Sequence, residues 1–291
     1  MAIIDESVRG TPHAALSHDV AFYSGYRQAG IAPAEHRGLP SPYLTLIVTI
    51  DEPLSVAAHP DPEQAPGDFG TLLGGLHTSP ATIVHEGRQS GVQLMVNPLA
   101  ARGLLGMPAG AVAGVDVAAD EVLGRDVAEV QERLREAADW PARFAAVDAW
   151  LMRRRALVDA RRPVAPEVER AWRRLVTSGG AVPVPELADE VGWSTRHLAA
   201  RFRQEIGLTP KAAARVVRFD RARRALAARV RAARPHVAPS RGLGLADLAA
   251  EHGYFDQAHL DREFRALAGC APVAWVAEEF RNIQAARHAG G

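Results

Sequence analysis

The sequence predicts an α+β protein with two differently built parts. Between Val20 and Val96, short apolar segments alternate with Pro- and Gly-containing segments, which is typical of an antiparallel β-sandwich or barrel. Beyond residue 166 the apolar spacing becomes helical. In that part, residues 186–210 are repeated at residues 247–272 with one residue inserted. A chain of 291 residues can bury a separate core in each part.

The N-terminal part contains five predicted strands and a short helix. Residues 43–50, YLTLIVTI, form the strongest strand, because the Pro53 that follows cannot continue a central strand. The short helix is predicted where Pro98 suits a first turn. The remaining segments are strands over residues 55–58, 70–77, 81–85 and 91–96 and the helix over residues 98–105.

A helical hairpin is predicted after the strands. Asp126 can cap a helix over residues 127–138, and Asp139 and Pro141 begin a second helix that extends to about residue 158. The apolar stripe of the second helix contains Phe144, Val147, Trp150 and Leu151. Two interpretations are open: the hairpin packs on the sheet, or the stripe forms a dimer seam. An apolar stripe shows that one face of a helix is buried, but it does not show against which surface.

Charge is divided unevenly along the chain. Residues 1–163 contain 14 arginines and 20 acidic residues, whereas residues 164–291 contain 20 basic and 14 acidic residues. A polyanion would therefore meet the C-terminal part first. The single cysteine, Cys270, excludes an intrachain disulfide framework, and neither a membrane-spanning run nor a basic signal-peptide start is present. We expect a cytoplasmic protein.

Each repeated stretch predicts a helix, a glycine turn and a second helix. In the first copy Pro185 takes an early helix position, Gly192 can adopt the positive φ of a tight turn, and Ser194 caps the second helix. In the second copy Gly253 supplies the turn and Asp256 the cap. This is the pattern of a helix-turn-helix, whose second helix can lie in the major groove of DNA.

Helical spacing gives each second helix an inner stripe and an outward face. Leu198 and Phe202 lie inward in the first copy, as Leu260 and Phe264 do in the second. Arginine can pair with guanine and glutamine with adenine, although a solvated basic face is the alternative. The candidate DNA contacts, including two on a long joining helix over residues 210–234, are Ser194, Thr195, Arg196, Ala200, Arg203, Lys211, Arg218, Gln257, Ala258, Arg262 and Arg265.

Each copy carries the pattern His-Leu-x3-Phe-x4-Gly-x2-Pro, which begins at His197 and at His259. Over about residues 168–280 the two units and their joining helix resemble the DNA-binding domain of the AraC/XylS family of bacterial transcription regulators. The resemblance implies that the chain is not an enzyme. It also implies sequence-specific binding of a double-stranded operator, with recognition-helix contacts by Arg196, Gln257 and Arg262.

Residues 1–160 are similar to the cupin-like sensor domains of such regulators, which bind an effector or mediate dimerisation. The resemblance thus implies a sensor domain over residues 1–160, a linker over 161–166 and a DNA-binding domain over 167–291. It also implies RNA polymerase, a small-molecule effector and a second copy of the chain as partners. The sequence departs from the family pattern in two places. Ala199 and Ala200 stand where relatives often carry polar side chains, and the break over residues 235–244 is longer than is usual in the family.

Other functions depend on chemistry in the β-rich part or at the cysteine. His36, His59, His77 and His85 could belong to a metal-dependent or enzymatic module with DNA binding secondary, but isolated imidazoles are more often structural. We expect neither a metal nor a cofactor. Cys270 could be a nucleophile, although a small buried residue is the better interpretation. A dimeric architectural regulator without a ligand is a third possibility.

Overall fold

The computed structural model describes residues 3–158, 163–232 and 243–278. Residues 161–162 of the predicted linker and residues 235–242 of the predicted break lie outside the described residues. In the described part the N-terminal domain contains β1 (Ile4–Gly10), β2 (Val20–Ala29), β3 (Ala34–Gly38), β4 (Leu44–Thr49), β5 (Leu54–Ala58), β6 (Gly67–Phe69), β7 (Thr71–Gly74), β8 (Ala81–His85), β9 (Arg88–Val96) and β10 (Asp116–Ala118).

The strands form two antiparallel sheets, which confirms the predicted β-rich domain. One sheet has the order β1-β2-β9-β4-β7-β10 and the other the order β3-β8-β5-β6. All five predicted strands are present, although β7 ends early, where the N–H of Gly75 donates to the carbonyl of Val115 at 3.0 Å. Strands β1, β2, β3, β6 and β10 were not predicted individually. Asp5, Glu6 and Arg9 make β1 polar, and charged side chains are usual on an edge strand.

Four helices complete the N-terminal domain: α1 (Ala101–Leu105), α2 (Ala119–Leu123), α3 (Asp126–Glu136) and α4 (Trp140–Leu157). Short 3-10 helices span Ala14–Leu16, Pro98–Ala100 and Ala109–Val112. The stripe of α4 is buried, with Trp150 at 1% exposure, and the Trp140 ring lies against the Cα of Gly25 in β2. The hairpin therefore packs on the sheet, and its stripe is not free to form a dimer seam.

The expected cap at Asp126 is wrong. The N-cap of α3 is Arg125, without a side-chain cap, and Asp126 is the first helical residue. Its carboxylate instead accepts hydrogen bonds from Arg154 at 2.6 Å and from the indole of Trp150 at 3.2 Å. The Asp126 carboxylate therefore binds side chains of α4, whereas the predicted cap would have bound a backbone N–H group. Asp139 caps α4 as predicted, accepting from the N–H of Ala142 at 2.8 Å.

The C-terminal domain is helical throughout. It contains α5 (Pro166–Thr177), α6 (Val184–Glu190), α7 (Thr195–Ile206), α8 (Pro210–Ala232), α9 (Leu245–Glu251) and α10 (Gln257–Ala268), followed by helical residues 272–278. Trp172 of α5 contacts Phe202 of α7 with ring centroids 5.9 Å apart, and Phe219 of α8 contacts Phe264 of α10 at 5.0 Å.

No helix among the described residues is both long and apolar enough to span a membrane.

The N-terminal domain contacts both repeated units. Arg102 of α1 donates two hydrogen bonds to Glu205 of α7, at 2.8 and 2.9 Å, and the Glu205 side chain is only 3% exposed. The backbone at Gly110 lies against the last turn of α7, so closely that an added Cβ would lie under 3.0 Å from two carbonyl oxygens. Arg37 of β3 pairs with Glu278 after the second unit. The contacts at Arg102 and Gly110 hold the C-terminal end of α7 against the N-terminal domain.

We predict that Gly25→Ala destabilises the protein by about 1–3 kcal/mol, because the new methyl group would overlap the Trp140 ring and overpack the hairpin against β2. Gly67→Ala is the matched control, since its Cβ would have only ordinary contacts from 3.5 Å outward. Urea unfolding of the two variants measures the difference. Equal free energies of unfolding would contradict this packing.

Loss of Arg102 should be costly because it leaves the buried Glu205 carboxylate without a partner. We predict that Arg102→Met lowers the free energy of unfolding by about 3–5 kcal/mol, and that adding Glu205→Leu restores most of it. The control is Arg133→Ala, which removes an exposed pair with Glu129 and should cost less than about 1 kcal/mol. Denaturant unfolding distinguishes these outcomes, and a double variant no more stable than Arg102→Met would contradict the prediction.

Candidate nucleic-acid interface

The first unit consists of α6, a glycine turn and α7. Gly192 has φ of 72°, which a side chain would make unfavourable, and the N–H of Trp193 donates to the carbonyl of Ala188 at 2.9 Å. Ser194 then caps α7 by accepting from the N–H of His197 at 3.2 Å. The inner stripe of α7 is completely buried: Leu198, Phe202 and Ile206. The predicted helix-turn-helix is confirmed here.

The second unit repeats this construction in α9 and α10. Gly253 has φ of 73°, the N–H of Tyr254 donates to Ala249 at 2.9 Å, and Asp256 caps α10 at the N–H of His259, 2.6 Å away. An edge-on ring contact also recurs, with His197 on Trp193 at 4.6 Å and His259 on Tyr254 at 5.3 Å. Both histidines therefore pack within their own unit.

The two helices α7 and α10 present their predicted outward residues to solvent. Ten of the candidate contacts are exposed: Ser194, Thr195, Arg196, Ala200, Arg203, Lys211, Gln257, Ala258, Arg262 and Arg265. Within the part of the chain that the structure describes, no salt bridge involves Arg196, Arg203, Arg262 or Arg265. These guanidinium groups form an uncompensated positive surface on the two helices.

Arg218 is the one candidate that the structure places between the units. Its guanidinium group donates to the carbonyl of Gly253 at 3.3 Å and to that of Gly180 at 3.5 Å, and it lies 5.5 Å from the centroid of the Tyr254 ring. Gly180 precedes the first unit and Gly253 is the turn of the second. Arg218 therefore links the segment before the first unit to the turn of the second unit through protein atoms.

Most other arginines of α8 also have protein partners. Arg215 pairs with Glu263 of α10 at 2.9 Å, while Arg223 and Arg224 share the buried carboxylate of Asp220 at 2.7 and 2.8 Å. These three guanidinium groups are therefore engaged with carboxylates of the protein. Their role in the structure is to hold α8 and α10 together and to neutralise Asp220.

Sequence reasoning missed Glu205, the acidic residue that joins α7 to the N-terminal domain. Its position, three residues after Phe202, places it on the buried stripe of α7, and a carboxylate at such a position requires a buried partner. This spacing could have identified Glu205 as paired. Nothing in the sequence identifies Arg102 as that partner, because it is 103 residues away.

The histidines of the N-terminal domain are dispersed. Pairing of β3 with β8 brings the rings of His36 and His85 to 6.2 Å, and burial together with the nearby His85 lowers the pKa of His36 to about 4. His59 lies 2.8 Å from the Asp116 carboxylate. In residues 3–158, 163–232 and 243–278, no group of three or more potential metal ligands converges.

Cys270 follows the last turn of α10 and is half-buried. Burial raises the pKa of its thiol, which disfavours the thiolate that a nucleophile requires. This environment supports the structural interpretation of the cysteine.

Residues 187–278, which contain both units and α8, match the family model described as a helix-turn-helix domain. No curated protein matches the chain in sequence. The match covers the repeated units from the inner face of α6 to the helical residues after α10.

Comparison with solved structures gives several matches of low sequence identity. A ligand-free single-residue variant of ToxT from Vibrio cholerae is 8% identical, with 88% of this chain and 96% of that chain covered at a TM-score of 0.51. ToxT from the same organism with a bound unsaturated fatty acid is 6% identical, with 95% of each chain covered and a TM-score of 0.48. The AraC-like transcriptional activator CuxR is 16% identical over 71% of this chain and 76% of that chain, with a TM-score of 0.30.

The first of these comparisons shows a shared arrangement of a β-rich domain followed by a helical one. The sequence match is confined to the helical domain, where the two units have the same turns, caps and buried stripes. Residues 187–278 thus form a helix-turn-helix domain of the matched family, and the chain shares the two-part fold of the first of these structures.

Proposed function

We propose that the chain binds a double-stranded operator through α7 and α10 and that a small-molecule effector modulates this binding through the N-terminal domain. The two helices would enter successive major-groove segments, about one helical turn apart on the same DNA face. The boundary between the effector domain and the DNA-binding domain would fall in residues 161–166. RNA polymerase and a second copy of the chain stay predictions from the family resemblance.

The observation that carries the DNA-binding proposal is the division of the arginines into two groups. Arginines on α8 form ion pairs with Asp220 and Glu263, whereas the outward arginines of α7 and α10 have no salt-bridge partner among the described residues. An exposed guanidinium group without a partner is available for phosphate or for guanine. Unpaired positive charge is thus present on the two helices with which a helix-turn-helix would meet DNA.

Each candidate contact has a role that follows from its position on the helix. Arg196 lies one residue into α7 and Gln257 begins α10, so both are near the ends from which recognition helices contact base edges. Arg262 follows one turn and a half later on the outward face. Phosphate contacts supply affinity without sequence information, and we assign these to the remaining exposed polar candidates, Ser194, Thr195, Arg203, Lys211 and Arg265.

The two units would read different half-sites. Their inner stripes are alike, but the outward face of α7 presents Arg196 and Ala200 where α10 presents Gln257, Ala258 and Arg262. Ala200 can offer only an apolar contact to a base, so direct reading by α7 depends chiefly on Arg196. An operator with two dissimilar half-sites in direct sequence would fit this arrangement.

A cleft at the domain boundary is our candidate for the effector site. It has a volume of about 480 Å³ and is lined from the N-terminal side by Tyr43, Leu99, Arg102 and Leu104, and from the C-terminal side by Val164 and Arg173. Arg102 belongs both to this wall and to the ion pair with Glu205 of α7. A ligand that binds the Arg102 guanidinium group would therefore weaken its ion pair with Glu205. This would change how α7, the first recognition helix, is held against the N-terminal domain.

Replacing an outward arginine should weaken specific binding more than nonspecific binding. With an operator selected from a random DNA pool, we predict that Arg196→Ala or Arg262→Ala costs about 1–3 kcal/mol of specific binding free energy, since each removes a base contact. Titrations against the operator and against an unrelated duplex measure both values. Arg133→Ala on α3 should change neither. Equal losses on both duplexes would reduce the two arginines to phosphate contacts.

Filling the cleft should abolish an effector response. Gly103 lines the cleft, and a Cβ at this position would meet no atom within 4 Å, so Gly103→Trp can occupy the space without an initial clash. In a melting screen with small molecules, a ligand at about 100 times its Kd should stabilise the wild type by roughly 2.7 kcal/mol. We predict no stabilisation of Gly103→Trp, whereas Ala128→Trp on the exposed face of α3 should respond as the wild type does. An undiminished response in Gly103→Trp would place the effector elsewhere.

A further inference from the structure

The residue by which the second unit exceeds the first is Phe255. In the first unit Gly192-Trp193 is followed at once by the capping Ser194, whereas in the second unit Phe255 separates Gly253-Tyr254 from the capping Asp256. The Phe255 side chain is 92% exposed, more than any other large apolar side chain among the described residues. A phenyl ring that is exposed over almost its whole surface gains free energy when a binding partner covers it.

The turn that carries Phe255 is firmly held. On one side, Tyr254 is 5% exposed and donates its N–H to Ala249 at 2.9 Å. On the other, Asp256 caps α10, and the N–H of Phe255 itself donates to the imidazole Nδ1 of His259 at 3.3 Å. With both neighbours fixed, the backbone presents the ring outward at the start of α10. Little conformational entropy would be lost when the ring is covered.

The surroundings of the ring favour a base edge as its contact. Phe255 precedes Gln257 and Ala258, which are exposed at the end of α10 from which a recognition helix reads bases. The adjacent Asp256 carboxylate would repel a phosphate group, so the ring is poorly placed against the DNA backbone. Among base edges in the major groove, only thymine offers an apolar group, its C5-methyl, for which a phenyl ring is a suitable contact.

We propose that Phe255 contacts the C5-methyl group of a thymine in the half-site read by α10, and that it determines the preference for thymine at that position. This inference rests on the proposed function of α10 as a recognition helix. The first unit has no counterpart of Phe255, so the apolar contact distinguishes the second half-site from the first.

The test combines a protein variant with a DNA base that lacks only the methyl group. Thymines of the selected operator are replaced one at a time by deoxyuridine, and binding is titrated with the wild type, Phe255→Ala and Phe255→Leu. We expect one deoxyuridine to weaken wild-type binding about fourfold, as for the loss of one buried methyl group, and to have no effect on Phe255→Ala. Phe255→Leu should lie between them, because it retains part of the apolar contact.

Matched controls separate this proposal from the function on which it rests. Leu157→Ala removes the next most exposed large side chain, at 81% exposure on α4, and should leave binding unchanged. If the wild type binds the operator but Phe255→Ala binds it equally well, the thymine contact is refuted while DNA binding by α10 stands. A deoxyuridine effect of equal size in the wild type and Phe255→Ala also refutes the contact. If the wild type selects no sequence at all, the proposed function fails as well.

A protein contact is the competing explanation of the exposed ring. It would appear as unchanged operator affinity in Phe255→Ala together with loss of transcription in a purified system with RNA polymerase. That result would overturn the thymine contact and assign Phe255 to a surface for a protein partner. Melting temperatures of the three variants within the error of the wild type would show that none of these outcomes reflects unfolding.

Discussion

The relative position of the two helix-turn-helix units depends on the contacts along α8. Phe219 packs on Phe264 of the second unit, and Arg218 bonds to the carbonyls of Gly180 and Gly253, one beside each unit. A regulator that reads two groove segments with one polypeptide needs a fixed distance between its reading helices. A joining helix with a buried stripe and hydrogen bonds to a segment beside each unit supplies that rigidity, which a flexible loop of the same length could not.

Acidic side chains decide which arginines remain available for DNA. Asp220 and Glu263 neutralise arginines of α8, and Glu205 binds Arg102 of the other domain. Each of these pairs is at least half-buried, where a lone charge is costly. The outward arginines of α7 and α10 have no such partner in the described residues, and they are exposed to solvent.

The contacts between the domains leave the start of α7 exposed. The N-terminal domain meets the last turn of α7, at Glu205, while Arg196 at the other end of the helix remains exposed. A change at the domain boundary would therefore alter the support of α7 while its outward face stays exposed. The cleft beside Arg102 is where such a change would begin, since its wall includes residues of both domains.

The sequence by itself determined the repeat, the buried stripes, the glycine turns and the caps at Ser194 and Asp256, because each depends on residues within about one helical turn. It missed the edge strand β1 and misassigned Asp126, whose partner Arg154 lies 28 residues away. Only the tertiary structure decided that Arg218 is held between the units, that Glu205 is paired, and that the Phe255 ring is uncovered. Periodicity specifies which face of a helix is buried, but the partner of a charged or aromatic side chain depends on segments that the fold brings together.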